Sequence, residues 1–130
     1  MYYWYNTLTG RDGETMGCEF EKPEGNEPVY IQLVRQVKAR IASGRLKPGD
    51  ALPSRRELAV TLEINPNTVQ KAYKLLEDEG LLSTWRSSHS VISADEEAIA
   101  ALRRSEADEA AKDFSRRMKE LGFGLDEAVR

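Results

Sequence analysis

The chain has 130 residues, 40% of them hydrophobic and 32% charged, which is enough for one compact domain with an appendage. No apolar run approaches the ~18 residues of a membrane span, and the N-terminus lacks a basic stretch leading into an apolar one, so a cytoplasmic protein with no membrane partner is expected. Cys18 and His89 are the only cysteine and histidine, which excludes an internal disulfide, a cysteine metal site and a histidine cluster; no cofactor and no enzyme chemistry are expected.

The net charge of −3 is unevenly spread. Residues 1–26 carry two basic and five acidic side chains, residues 27–93 ten basic and seven acidic, and residues 94–130 seven basic and ten acidic. Only the middle stretch is attractive to phosphate, and the same boundaries divide the chain into an N-terminal extension, a central domain and a C-terminal helical segment.

Residues 1–26 show no helical period, and Tyr2, Tyr3, Trp4 and Tyr5 form an aromatic cluster without a sequence partner. Met16 is a candidate start of the folded part, with Cys18–Lys22 as a short strand. From Pro28 onward, Tyr30, Val34, Val37 and Ile41 lie on one face of an amphipathic helix that Gly44 ends. The stretch Arg45–Asp50, with Pro48-Gly49, reads as a turn. Ser54 and Glu57 then form a capping box for a short second helix that buries Leu58, Ala59 and Leu62. After a brief break at Glu63-Ile64, Asn65 caps a third helix and Pro66 occupies its first turn, where a missing N–H costs nothing. Val69, Ala72, Tyr73 and Leu76 form its buried stripe, and Gly80 stops it.

Two short helices joined by a tight turn make a helix-turn-helix, and Leu81–Trp85 with Ser90–Ser93 complete it with a hairpin wing. The expected fold is thus mainly α with a small β hairpin: a winged helix-turn-helix over residues 27–93, followed by a helical tail over 94–130. Ser93 and Glu96 offer a capping box for that tail. Ala107, Ala110, Phe114, Met118 and Leu121 recur along it at spacings of 3 or 4, and the favoured partner of this stripe is the same helix in a second copy, as a dimerisation surface. Leu125–Arg130 reads as a final short turn.

A helix-turn-helix lays the start of its second helix in the DNA major groove. That start carries Asn65, Asn67, Thr68, Gln70 and Lys71, side chains that suit adenine edges, thymine methyls and phosphates. Asn65 is a cap first and a DNA contact second. Arg55 and Arg56 open the preceding helix beside a flanking phosphate, and Arg86 at the wing tip is a candidate backbone or minor-groove contact. Arg35, Arg45, Lys47 and Lys74 read either as further contacts or as solvated surface. His89 reads as a solvated loop residue and Trp85 as packing at the wing base.

The residues Pro28-Val29-Tyr30, Gly44 to Gly49, Leu52 to Ala59, Asn65 to Tyr73 and Leu76 to Leu81, about half of the chain, resemble the GntR family of bacterial regulators and its short YtrA-like branch. The tail Phe114 to Gly122 is similar to the dimerisation segment of that branch. The resemblance implies a homodimer on a partly palindromic operator in double-stranded DNA, usually as a repressor and often of transporter operons, with Arg56, Asn67, Thr68 and Gln70 at the DNA. Ser87 and His89 stand where the family's wing has glycines, which predicts a reshaped wing. Glu63 stands where the helix-turn-helix turn usually has glycine, at a cost of about 1 kcal/mol. Any small-molecule effector would need a cavity between two copies, because the tail is too short to enclose one. A winged helix used as a protein-interaction module, without specific DNA binding, is the alternative.

Overall fold

The computed structural model describes residues 20–85 and 89–124. The elements run in the order α1 (Val29–Ala42), β1 (Ala51–Leu52), α2 (Arg55–Leu62), α3 (Pro66–Asp78), β2 (Leu82–Trp85), β3 (His89–Ile92) and α4 (Glu96–Glu120). The fold is the mainly helical winged helix-turn-helix that the sequence pattern anticipates, with a long C-terminal helix. The aromatic cluster of residues 2–5, Met16, Cys18, Arg86, Ser87 and the turn expected at 125–130 lie outside the described residues.

α1 buries Leu33, Val37 and Ile41, a strict four-residue repeat, while Tyr30 and Val34 pack half-buried at its edges. The inner face is therefore turned slightly from the one the Tyr30-Val34-Val37-Ile41 spacing suggests, and Leu33 is the member that spacing lacks. The helix ends at Ser43, Gly44 takes φ +82°, and the next residues fold back so that Leu46 N–H donates to Arg40 O at 3.0 Å and the Leu46 side chain is buried. The expected turn then runs straight into β1, a strand that no alternation signalled. Its register is Ala51 opposite Val91 and Leu52 opposite Ser90, extended by Ile92 N–H to Asp50 O at 2.8 Å.

The sheet has the order β1-β3-β2, all antiparallel, with β3 central and Leu82 to Trp85 facing Ile92 to His89. The hairpin is the expected wing, its second strand shifted one residue toward the N-terminus, so His89 belongs to a strand and not to a loop. Leu81, Leu82, Ile92 and Ala94 close the sheet over the helical core. That core is one cluster: the α1 stripe, Leu58, Ala59 and Leu62 of α2, and Val69, Ala72, Tyr73 and Leu76 of α3, each at most 4% exposed.

Phe20–Lys22, expected to finish a short strand, form none; residues 20–27 instead lie along α1 as a strap. Side-chain amides of α1 hold its backbone. Gln36 accepts from Glu21 N–H at 2.8 Å and donates to Glu21 O at 3.0 Å, while Gln32 accepts from Glu24 N–H at 3.0 Å and donates to Glu27 O at 2.8 Å. Glu27 grips Arg35 through both guanidinium nitrogens at 2.6 and 2.7 Å, and this hydrogen bond raises the Arg35 pKa further above its ordinary value.

α4 is capped by Asp95, whose carboxylate accepts from Ala98 N–H at 2.7 Å, and not by Ser93. Ser93 still belongs to the hairpin end: its N–H donates to Leu81 O at 3.1 Å, so it cannot turn into the helix. Ala98, Ile99 and Leu102 dock the first turns of α4 on the core, and Arg103 Nε donates to Ala42 O at 2.8 Å at the end of α1. From Ala107 to Leu121 no residue of α4 is buried.

Leu33 is 1% exposed at the first position of the α1 stripe. Leu33→Ala is expected to lose about 2–5 kcal/mol of stability, a large share of the ~5–15 kcal/mol typical of such a domain, read as a fall in the urea midpoint.

Candidate nucleic-acid interface

The polar edge is built by α3. Its buried residues, Val69, Ala72, Tyr73 and Leu76, repeat every three or four positions, so Asn67, Gln70, Lys71 and Lys74 face outward and are exposed, with Thr68 half-buried between the two faces. Asn65 sets where this edge begins. Its backbone is extended (φ −66°, ψ 130°), its Oδ1 accepts from Asn67 N–H at 2.8 Å, and its carbonyl accepts from Thr68 N–H at 2.9 Å. The cap thereby consumes the Asn65 acceptor and fixes the first turn that presents Asn67 and Thr68.

The turn before it is a left-handed helix end. Ile64 N–H donates to Ala59 O at 3.0 Å, Glu63 N–H to Val60 O at 3.3 Å, and half-buried Ile64 packs against the core. This is the Schellman arrangement, whose pivot is ordinarily glycine. Here the pivot is Glu63 at φ 57°, the one non-glycine residue with positive φ among the described residues. Its carboxylate meets Lys22 Nζ of the strap at 3.0 Å, but both side chains are largely exposed, so the pair offsets little of the backbone cost.

The cations expected at DNA divide sharply. Arg56 is exposed at the first turn of α2, next to a cap in which Ser54 Oγ accepts from Glu57 N–H at 3.1 Å. Lys71 is exposed, yet its ammonium sits 4.0 Å from the centre of the Tyr30 ring, which holds it at the junction of α3 and α1. Arg55, expected to face a flanking phosphate, is held inward instead: Nη2 is 2.8 Å from Glu77 Oε1 and the guanidinium lies over the Tyr73 ring. Among the cations left open between contact and surface, Arg35 is committed to Glu27 and Lys74 approaches Asp78 at 3.7 Å, whereas Arg45 and Lys47 are exposed. What sequence reasoning did not find is the inward pairing of Arg55; its partners are 22 and 29 residues away in the chain, beyond any local signal.

Residues 29–92 match the family model described as "Bacterial regulatory proteins, gntR family". Among curated relatives, the helix-turn-helix-type transcriptional regulator YhcF of Bacillus subtilis (strain 168) is 35% identical over 106 residues, 82% of this chain and 88% of YhcF. The chain belongs to the GntR family. Within it the chain is YtrA-like: the helix-turn-helix-type transcriptional repressor YtrA of Bacillus subtilis is 49% identical over 71 residues, and the match spans 55% of each protein, about half the length of that relative. A GntR family transcriptional regulator from Listeria monocytogenes superposes with a TM-score of 0.72 at 32% identity, over 82% of this chain and 94% of the other. YtrA from Sulfolobus acidocaldarius, a GntR-family transcription factor, gives 0.52 at 39% identity, over 67% and 94%. This GntR-family protein is accordingly a DNA-binding transcription regulator and not an enzyme. No helix of the described residues is long and apolar enough to cross a membrane.

Replacing Glu63 by glycine removes the left-handed strain and is expected to raise stability by about 0.5–1 kcal/mol, measured by urea denaturation, with Glu63→Asn giving a smaller gain. A loss of stability in Glu63→Gly would mean that the Lys22 pair outweighs the backbone strain.

Proposed function

We propose that this GntR-family regulator is a cytoplasmic homodimeric repressor that reads a partly palindromic DNA operator with the first two turns of α3. The observation that carries the reading is the exposed polar edge of α3 on a helix whose start is fixed by the Asn65 cap. Asn67 and Gln70 offer the paired donor and acceptor that adenine presents in the major groove, and the Thr68 methyl suits thymine. Arg56 and Lys71 fall to the phosphates on either side, where they set register rather than sequence preference. The resemblance to the repressor YtrA favours repression over activation.

The dimer rests on α4. Ala107, Ala110, Phe114, Met118 and Leu121 share one stripe; Phe114 is 48% and Leu121 68% exposed, a poor arrangement for a lone chain and a natural one for two helices packed together. Two heads joined this way meet successive turns of a duplex, which is the reason a two-fold protein selects a palindrome. A small-molecule effector of such a dimer would act by changing the angle between its heads.

Selection of DNA from a random pool should return a motif with two half-sites. Against it, Asn67→Ala and Gln70→Ala should each cost about 1–3 kcal/mol and relax base preference in a gel-shift titration, whereas Arg56→Ala should weaken all sequences alike and reduce the salt slope by about 0.9. Parental affinity in both α3 variants would remove the reading. Sedimentation tests the other half: Phe114→Glu combined with Leu121→Glu should convert a dimer to monomers that keep the far-ultraviolet spectrum and lose tight binding to the full operator.

A further inference from the structure

The first arginine of α2 is placed where a phosphate contact belongs, but its surroundings give it another task. Its Nη2 lies 2.8 Å from Glu77 Oε1 in the last turn of α3 and 3.5 Å from Thr84 Oγ1 on β2. The Thr84 hydroxyl donates to the same Glu77 oxygen, so three elements converge on one carboxylate. The guanidinium carbon stands 5.4 Å from the centre of the Tyr73 ring, and the Tyr73 hydroxyl donates to Pro53 O at 2.6 Å, just ahead of the Ser54 cap. Arg55 Nε is buried, and the Arg55 and Glu77 side chains are only 23% and 30% exposed.

We propose that Arg55 is a positioning residue for DNA reading, a clamp that fixes the tilt of α3 and the seat of the wing strand β2 against α2 through Glu77 and Thr84. The proposal rests on the reading of α3 as the DNA-contacting helix. The first turn of α3 is held by its cap and the Glu63 turn; Glu77 holds the opposite end. Burial of Val69, Ala72, Tyr73 and Leu76 sets the coarse orientation of α3, and the Glu77 contact at its far end narrows the remaining tilt at which Asn67 and Gln70 are presented. Because the Arg55 charge is already matched by Glu77, the pair releases no counterion from DNA, unlike a free cation such as Arg56. A planar guanidinium can stack on Tyr73 and bond to two oxygens together.

The test uses the full chain and measures binding to its selected operator and to a random duplex over a range of salt. In R55Q the ratio of operator to random affinity should fall roughly three- to tenfold while the salt slope stays at the parental value. E77Q should lower the ratio similarly, R55Q/E77Q should fall no further than either single variant, and T84V should lower it less. R56Q serves as the contrast: slope reduced by about 0.9, ratio unchanged. The clamp is overturned if R55Q behaves like R56Q, or if neither R55Q nor E77Q alters the ratio. Circular dichroism and thermal melts establish that each variant is folded at the assay temperature, and if R55Q is not, the ratios in E77Q and T84V decide the matter. A parental protein that selects no motif defeats the DNA reading itself, an outcome separate from failure of the clamp.

Discussion

α3 must satisfy two opposed demands along one short cylinder. One face leaves water completely, as Val69 and Leu76 do at 0% exposure, and the other stays polar and exposed at Asn67, Gln70, Lys71 and Lys74. The inner face accounts for nearly everything else in the domain. α1 supplies Leu33, Val37 and Ile41 to cover it, α2 lies across it with Leu58 and Leu62, and the sheet folds Leu81, Leu82 and Ile92 over the remaining side. Burial of these side chains, each contributing on the order of 1.5–3 kcal/mol, sets the orientation of the polar edge as a by-product of hydrophobic packing.

The ends of α3 convert that packing into a defined angle. At its start, Asn65 satisfies an otherwise orphaned N–H and Pro66 occupies a position with no hydrogen bond to lose. At its finish, Gly80 turns left-handed at φ +77° and Leu81 N–H returns to Leu76 O at 2.9 Å, which drops Leu81 into the core and aims the chain into β2. The wing and the helix are therefore continuous in register, and the central position of β3 ties both to β1.

Much of this was legible because it is local. Ser54, Asn65, Pro66, Gly44 and Gly80 act on residues within one turn of themselves, so caps, stops and the two helices of the motif could be read without knowing the fold. The misses share a cause as well. β1 is two residues long and set between turn residues, so its existence depends wholly on β3, 38 residues away at the Leu52–Ser90 pair and 40 at Ala51–Val91. Leu33 does not stand out in the sequence because Tyr30 and Val34 extend an equally regular apolar series one step around the helix. Ser93 resembled a cap as strongly as Asp95 does; its backbone commitment to Leu81 decided between them. The strap over residues 20–27 and the inward turn of Arg55 depend on partners distant in sequence. At the candidate interface the identity of the outward residues was readable from periodicity, but which cations were already spoken for was not.

The attachment of α4 has a mechanical side. The helix is 25 residues long, about 37 Å, yet the side chains that seat it on the core lie between Ala98 and Leu102, with Arg103 tethered to the last carbonyl of α1. Leverage follows from that proportion: a tilt of about 10° at the seated end sweeps the far end through roughly 6 Å, and the reverse gearing turns a coarse displacement of the tip into a fine rotation at the base. Since α1 packs directly against α3, the seat of α4 lies one helix away from the polar edge.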